Sequence, residues 1–313
     1  MPQPPTPSTK LLIHGTRPDP KRQHPVLDLA HWEGEFPLGA ERRDGGWIDT
    51  PGKLARREQS LRLAASKGTL GPSVPSDIFV WADTALHDKP WLTRIGGTPW
   101  REKGKPWPKG NGGIPLVFLG QICFADSQDM LPCKLPGDVA LIFGSAAKGW
   151  ISLVNGSALE WSSLKLKTPE DGLGGVPWNG ELPYAYQGVI HRTVQHTDGD
   201  AAEKAFVAAG WKDGGSGIQS VQATSIGTYA DLPQGWPFEK GDGCTLIATL
   251  SSFYFGGKWP LCDVPRGPQR VSADGAESDF WNRDALKFSV GDAGCIWIYR
   301  DKAGKFHVDD ACG

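Results

Sequence analysis

With 313 residues, 33 Lys and Arg against 35 Asp and Glu, and a formal net charge of −2, the chain lacks the concentrated basic stripe of a nucleic-acid binder. A hydrophobic fraction of 39% allows a real core, but 41 Gly, 26 Pro and 14 Trp exclude a helix-rich protein and suit short strands and turns. The expected fold class is mainly β, a β-rich α+β protein with a few short helices.

The first residues, Met1-Pro2-Gln3-Pro4-Pro5-Thr6-Pro7-Ser8, read as a Pro-rich tail without the charged and apolar regions of a signal peptide. No apolar run approaches the roughly 18 residues of a membrane-spanning helix, so no membrane contact is expected. Absence of both signals predicts a cytoplasmic protein. The six cysteines, Cys123, Cys133, Cys244, Cys262, Cys295 and Cys312, form no C-x-x-C pair and read mainly as reduced thiols, several of them buried in strands.

Residues 1–76 read as an irregular Pro-rich extension with one helix. Thr50-Pro51 supplies an N-cap and a first-turn proline, Lys53 to Lys67 is amphipathic, and Gly68 sits where a helix ends. Strands are expected at Asp77–Ala82, Ile114–Phe124, Val139–Phe143 and Trp150–Val154. Apolar residues on both faces of the second of these predict a strand covered on both sides. A second helix is expected over Ala201–Ala209, with Asp200 and Glu203 at capping-box spacing and Gly210 at its end. A third, shorter helix is expected from Ser278 through Leu286.

Two ordered series then stand out. Ile95-Gly96, Trp107-Pro108, Gly110, Leu116–Leu119 and Gly137-Asp138 with Leu141-Ile142-Phe143 make the first. Ile226-Gly227, Trp236-Pro237, Gly241, Leu246–Leu250 and Gly291-Asp292 with Ile296-Trp297-Ile298 make the second. Neither series can close a core alone, so residues 77–313 are expected to form one pseudo-duplicated β roll. Its related halves, about 93–154 and 224–308, are joined by a linker with one helix.

The run Ile95-Gly96-Gly97-Thr98-Pro99, Trp107-Pro108, Pro115-Leu116-Val117-Phe118-Leu119-Gly120-Gln121-Ile122, Leu131-Pro132 and Gly137 to Phe143 resembles the YwqG-like family, as does Gly291-Asp292-Ala293-Gly294 before Cys295 to Tyr299. The resemblance spans about residues 77–313. It implies a mainly β, roll-like fold and little about activity. Some members lie beside bacterial polymorphic toxins, which implies an immunity or antitoxin role.

No P-loop, G-x-S-x-G, H-E-x-x-H or dinucleotide fingerprint is present. His191 and His196, five residues apart, read as polar loop residues rather than as metal ligands. His307, Asp309, Asp310 and Cys312 form a denser cluster that could hold a metal, although a solvated terminal strand accounts for it as well. Asp138 and Asp292 follow glycines at matching points. They read as turn caps, or alternatively as a carboxylate pair for acid–base work. Gln121, polar within an apolar strand, is expected to satisfy buried backbone groups. Trp100, Trp107, Trp178 and Trp236, in Gly/Pro loops, are the candidates for an exposed stacking surface. With no catalytic constellation, no cofactor and no metal site to assign, the expectation is a non-enzymatic protein that binds a protein partner, an immunity protein blocking a toxin. The alternative is an enzyme or a small-ligand or carbohydrate binder using the Trp-rich loops and the two aspartates.

Overall fold

The computed structural model describes residues 16–17, 21–27, 51–82, 88–147, 150–170, 186–211, 223–230, 242–254, 287–288, 290–291 and 294–311. In chain order the elements are β1 (Thr16–Arg17), β2 (Val26–Leu27), α1 (Pro51–Ala65), β3 (Ser73–Ala82), β4 (Arg94–Ile95), β5 (Val117–Cys123), β6 (Val139–Ala147), β7 (Trp150–Ser152) and β8 (Ala158–Ser162). They continue with β9 (Tyr186–His196), α2 (Gly199–Ala208), β10 (Ser225–Ile226), β11 (Thr245–Ser251), β12 (Phe253–Tyr254), β13 (Lys287–Phe288), β14 (Cys295–Arg300) and β15 (Phe306–Ala311). The protein is mainly β, as its Gly, Pro and Trp content requires.

One sheet runs β15-β14-β11-β10-β3-β9-β4-β5-β6-β7, with β8 also on β6 and β2 on β9. Its long central pair, β3 and β9, is antiparallel from Ser73↔His196 to Ala82↔Gln187. On one side β4 pairs with β9 through Ile95↔Tyr186, and on the other β10 pairs with β3 through Ile226↔Asp77. The order β4-β5-β6-β8 is therefore repeated as β10-β11-β14-β15 about an axis through the central pair.

The match extends to single hydrogen bonds. Gly96 N donates to Leu119 O at 2.9 Å, and Gly227 N to Ile247 O at 3.0 Å. Each half carries a bulge at the same place, between Phe118 and Gly120 and between Leu246 and Ala248. The outer strands of the two halves approach one another, with the Trp161 and Phe306 rings 5.3 Å apart, so the sheet curls almost shut around one interior. Phe79, Trp81, Ile95, Leu119, Ile122, Ile142, Ile190, Ile226, Ile247 and Ile298 fill it.

The outer face is covered in patches. Leu54 of α1 packs on Ile78, Val80 and Val189 of the central pair, while Leu61 and Ala64 pack on Ala202, Ala205 and Phe206 of α2. Segments from residues 1–76 thus belong to the same sheet and core, and β3 starts at Ser73, four residues before the expected strand start. The capping of α2 differs from expectation. The Asp198 side chain, not Asp200, accepts from Ala201 N at 3.0 Å, because the helix begins at Gly199 and a cap must lie just outside it. The helix expected at Ser278–Leu286 lies outside the described residues.

Candidate binding site

Four of the residues singled out by sequence lie on the outer face of β5, β6 and β8. Trp100 N donates to Gln121 Oε1 at 2.9 Å, and its indole Nε1 donates to Ser163 O at 2.9 Å. Gln121 Nε2 in turn serves Pro90 O and Leu92 O at 2.9 and 2.8 Å, the backbone-satisfying task expected of it. Trp107 donates from Nε1 to Leu116 O at 2.6 Å and sets its ring edge-on to Phe143, with centroids 5.4 Å apart. Asp138 Oδ2 accepts from Ser163 Oγ and Leu164 N, both at 3.0 Å, so its carboxylate holds the turn after β8.

Ser163, bonded by both Trp100 and Asp138, also lines a cavity of about 240 Å³ together with Arg101, Lys105, Glu160, Trp161 and Leu166 among others. Its charges answer each other. Arg101, almost fully buried, donates to both oxygens of Glu160 at 3.3 Å and to Lys105 O and Pro106 O at 3.0 Å. Its guanidinium also lies 5.2 Å from the Trp107 ring centroid, a cation–π arrangement. Lys105 Nζ reaches Glu160 at 2.9 Å. A group so fully occupied positions a loop and leaves little for chemistry on a ligand.

A second polar network closes one end of the interior. Buried Asp77 receives Arg192 Nε and Nη2 at 2.8 and 2.7 Å and Ser127 Oγ at 2.7 Å. Beside it His24 Nδ1 lies 2.7 Å from Asp126 Oδ2, and His24 Nε2 lies 3.0 Å from Thr93 Oγ1. That order matches a nucleophile–base–acid triad, but all three side chains are buried. Thr93 Oγ1 also accepts from Cys123 N at 3.0 Å, and Thr93 N donates to His24 Nε2. Burial alone would raise the Asp126 carboxyl, yet hydrogen bonds from the His24 ring and from the Gln23 and His24 amides hold it below its ordinary range. The network fastens the N-terminal segment to the sheet.

Trp100 departs from expectation in one respect. It is only 7% exposed, because its ring sits among Leu92, Leu116, Phe118 and Leu141. Trp107 is half-buried. Trp178, Trp236 and Asp292 lie outside the described residues. The matching of Asp138 with Asp292 is corrected by the strand register. Phe124 N donates to Asp138 O and Ser252 N to Gly294 O, so the counterpart of Asp138 is Gly294.

His191 and His196 lie in β9 rather than in a loop. His307 Nε2 meets Asp301 Oδ2 at 2.7 Å and stacks on Tyr299, and no three His, Cys, Asp or Glu among the described residues converge as metal ligands. Cys123 and Cys295 are unpaired, and burial pushes both thiols up to about 12. No helix among the described residues is long and apolar enough to cross a membrane.

Sequence reasoning passed over Arg101 and Glu160, which only folding brings together from 59 residues apart. A charged pair this distant leaves no local pattern to find.

A family model, Domain of unknown function (DUF1963), matches residues 93–143, the stretch from β4 into β6. No curated protein matches the chain.

Proposed function

We propose that this chain is a YwqG-like, non-enzymatic binding protein whose partner is another protein, a bacterial toxin that it neutralises as an immunity protein. The observation that carries the binding reading is an exposed apolar pair on two adjoining loops. Ile114 is 68% and Val154 76% exposed, on segments joined by a bond from Asn111 N to Asn155 O at 3.0 Å. The loops touch closely, since a Cβ on Gly156 would come within 2.7 Å of Gly110 Cα. Preorganised apolar tips rimmed by polar side chains suit a protein partner. The toxin identity rests on the family resemblance alone.

Capture of the toxin encoded beside the gene, and protection of cells expressing it, tests this reading. Ile114→Asp with Val154→Asp is expected to abolish capture while shifting folding stability by less than about 0.5 kcal/mol. Undiminished capture by the double variant would remove these tips from the interface, and no capture by the wild-type chain would end the toxin reading. The alternative, an enzyme or a small-ligand or carbohydrate binder, would draw on the cavity of about 240 Å³, where Arg101, Lys105 and Glu160 already pair with one another.

A further inference from the structure

Arg94 is a buried cation without an anion among the described residues. Its side chain is 9% exposed, and its hydrogen bond among the described residues runs from Nη2 to Thr98 O. Its Nε is buried with no acceptor, and no carboxylate among the described residues reaches it. Burial pushes the guanidinium down to about 10, with no neighbouring charge opposing the shift, yet leaves it cationic near neutrality. A charge held this way is costly unless something pairs with it.

The fold itself does not require the cation. The pseudo-symmetric position, before Ile226-Gly227, is Ser225, equally buried and neutral, and the same turn closes there with the same backbone bond from Gly227 N to Ile247 O.

The segment around Arg94 has donors to spare. Gly97 N and Thr98 N have no acceptor among the described residues, both residues are partly exposed, and the Thr98 carbonyl accepts from the guanidinium. Gly96 and Gly97 both hold positive φ, 69° and 71°, a backbone that presents successive amides in a tight turn. Trp91, packed on Trp100 a few residues away, also has a buried Nε1 without an acceptor. A short segment with unmet donors and one unmatched positive charge calls for an acceptor carrying one negative charge.

We propose that Arg94, with the amides of Gly97 and Thr98, is a receptor for a carboxylate, supplied by an acidic side chain of a partner or by a free small acid. One guanidinium matches one carboxylate in charge and in planar fork geometry, whereas a phosphate dianion would leave a charge over.

The full-length chain, ¹⁵N-labelled, is titrated with sodium acetate at constant ionic strength against sodium chloride. Saturable shifts of the Gly97 and Thr98 amides and of Arg94 Nε–H are expected, with Arg94→Gln lowering acetate affinity about tenfold or more. Equal responses to acetate and chloride, no saturation, or unchanged affinity in Arg94→Gln would overturn the proposal. Tighter binding of inorganic phosphate than of acetate would overturn the carboxylate assignment. If Arg94→Gln fails to fold, the wild-type titration still decides through where its shifts fall: shifts that avoid Gly97 and Thr98 count against the site. Once acetate binding is established, acetate competition with partner capture supports a side-chain carboxylate, and capture indifferent to acetate supports a free acid. Acetate binding is read without any partner, so a failed toxin capture leaves this result standing.

Discussion

The two halves of the sheet share a hydrogen-bond skeleton and differ in what they hang on it. Ile95-Gly96 and Ile226-Gly227 close the same turn, and the two bulges fall at the same register. The side chains at equivalent places have diverged. Arg94 is matched by Ser225, Gln121 by Thr249, Phe124 by Ser252 and Asp138 by Gly294. In the first half, Phe124 sets its ring against Trp161, 5.9 Å away. In the second, Ser252 Oγ instead links Val290 N and Gly294 O at 2.9 and 2.6 Å. Backbone pairing therefore preserves the duplication, while the side chains at equivalent positions have changed in size and charge.

The sharpest way to break this equivalence is at its tightest point. A Cβ on Gly294 would lie 1.9 Å from Ala311 O, so Gly294→Ala is expected to destabilise by more than about 3 kcal/mol in urea unfolding. At the equivalent place Asp138→Ala should lose only its turn bonds, about 1 kcal/mol. Equal costs at the two positions would undo the contrast.

The ends of the central pair differ next. The axis relates Asp77 to Tyr186, since each pairs with the isoleucine of an Ile-Gly turn. Asp77→Ala strands Arg192 and should cost about 3 kcal/mol, toward the low end for a buried pair because Arg192 is partly in water. A loss under about 1 kcal/mol would show that Asp77 is dispensable to that end of the interior.

On the outer face the same asymmetry has a pH signature. Burial alone would raise the Glu58 carboxyl, but bonds from His191 and Thr193 and the charge of Arg57 outweigh it and hold it down at about 2. Because the folded value lies below the ordinary 4.5, its stabilisation is complete above 4.5 and fades as pH falls from there through about 2. Glu58→Gln should therefore trail wild type by on the order of 2 kcal/mol near pH 6, and the gap should vanish near pH 2. A gap independent of pH would assign the loss to packing.

The smallest effect should come from making the halves alike. Arg94→Ser installs the second half's residue, and because the guanidinium has no counter-ion among the described residues the change should stay within about 1 kcal/mol of wild type. A large loss would mean that Arg94 is structural.

Local patterns were legible where the chemistry is local. Pro51 opens α1, and apolar runs covering both faces mark β5 and β6. The Ile-Gly turns announced the two halves. By contrast β9, the longest strand among the described residues, escaped notice: His191 and His196 read as loop residues, and the partners that mark the strand, Glu58 for His191 and Asp77 for Arg192, lie 133 and 115 residues away. The alignment of Gly-Asp with Gly-Asp also slipped, since a strand register is set by pairing with neighbours and not by matching dipeptides.

Sequence by itself determined the fold class, the duplication and the role of Gln121, because composition, periodicity and a polar residue within an apolar strand are read within a few neighbours. Only the tertiary structure decided which tryptophans are buried, which glycine stands in place of an aspartate, and which cations are paired. Arg101 finds Glu160, and Arg94 finds no carboxylate among the described residues. Two arginines seven residues apart read alike in a sequence. What separates them is whether the sheet brings a negative charge within reach, which depends on contacts made across the whole chain.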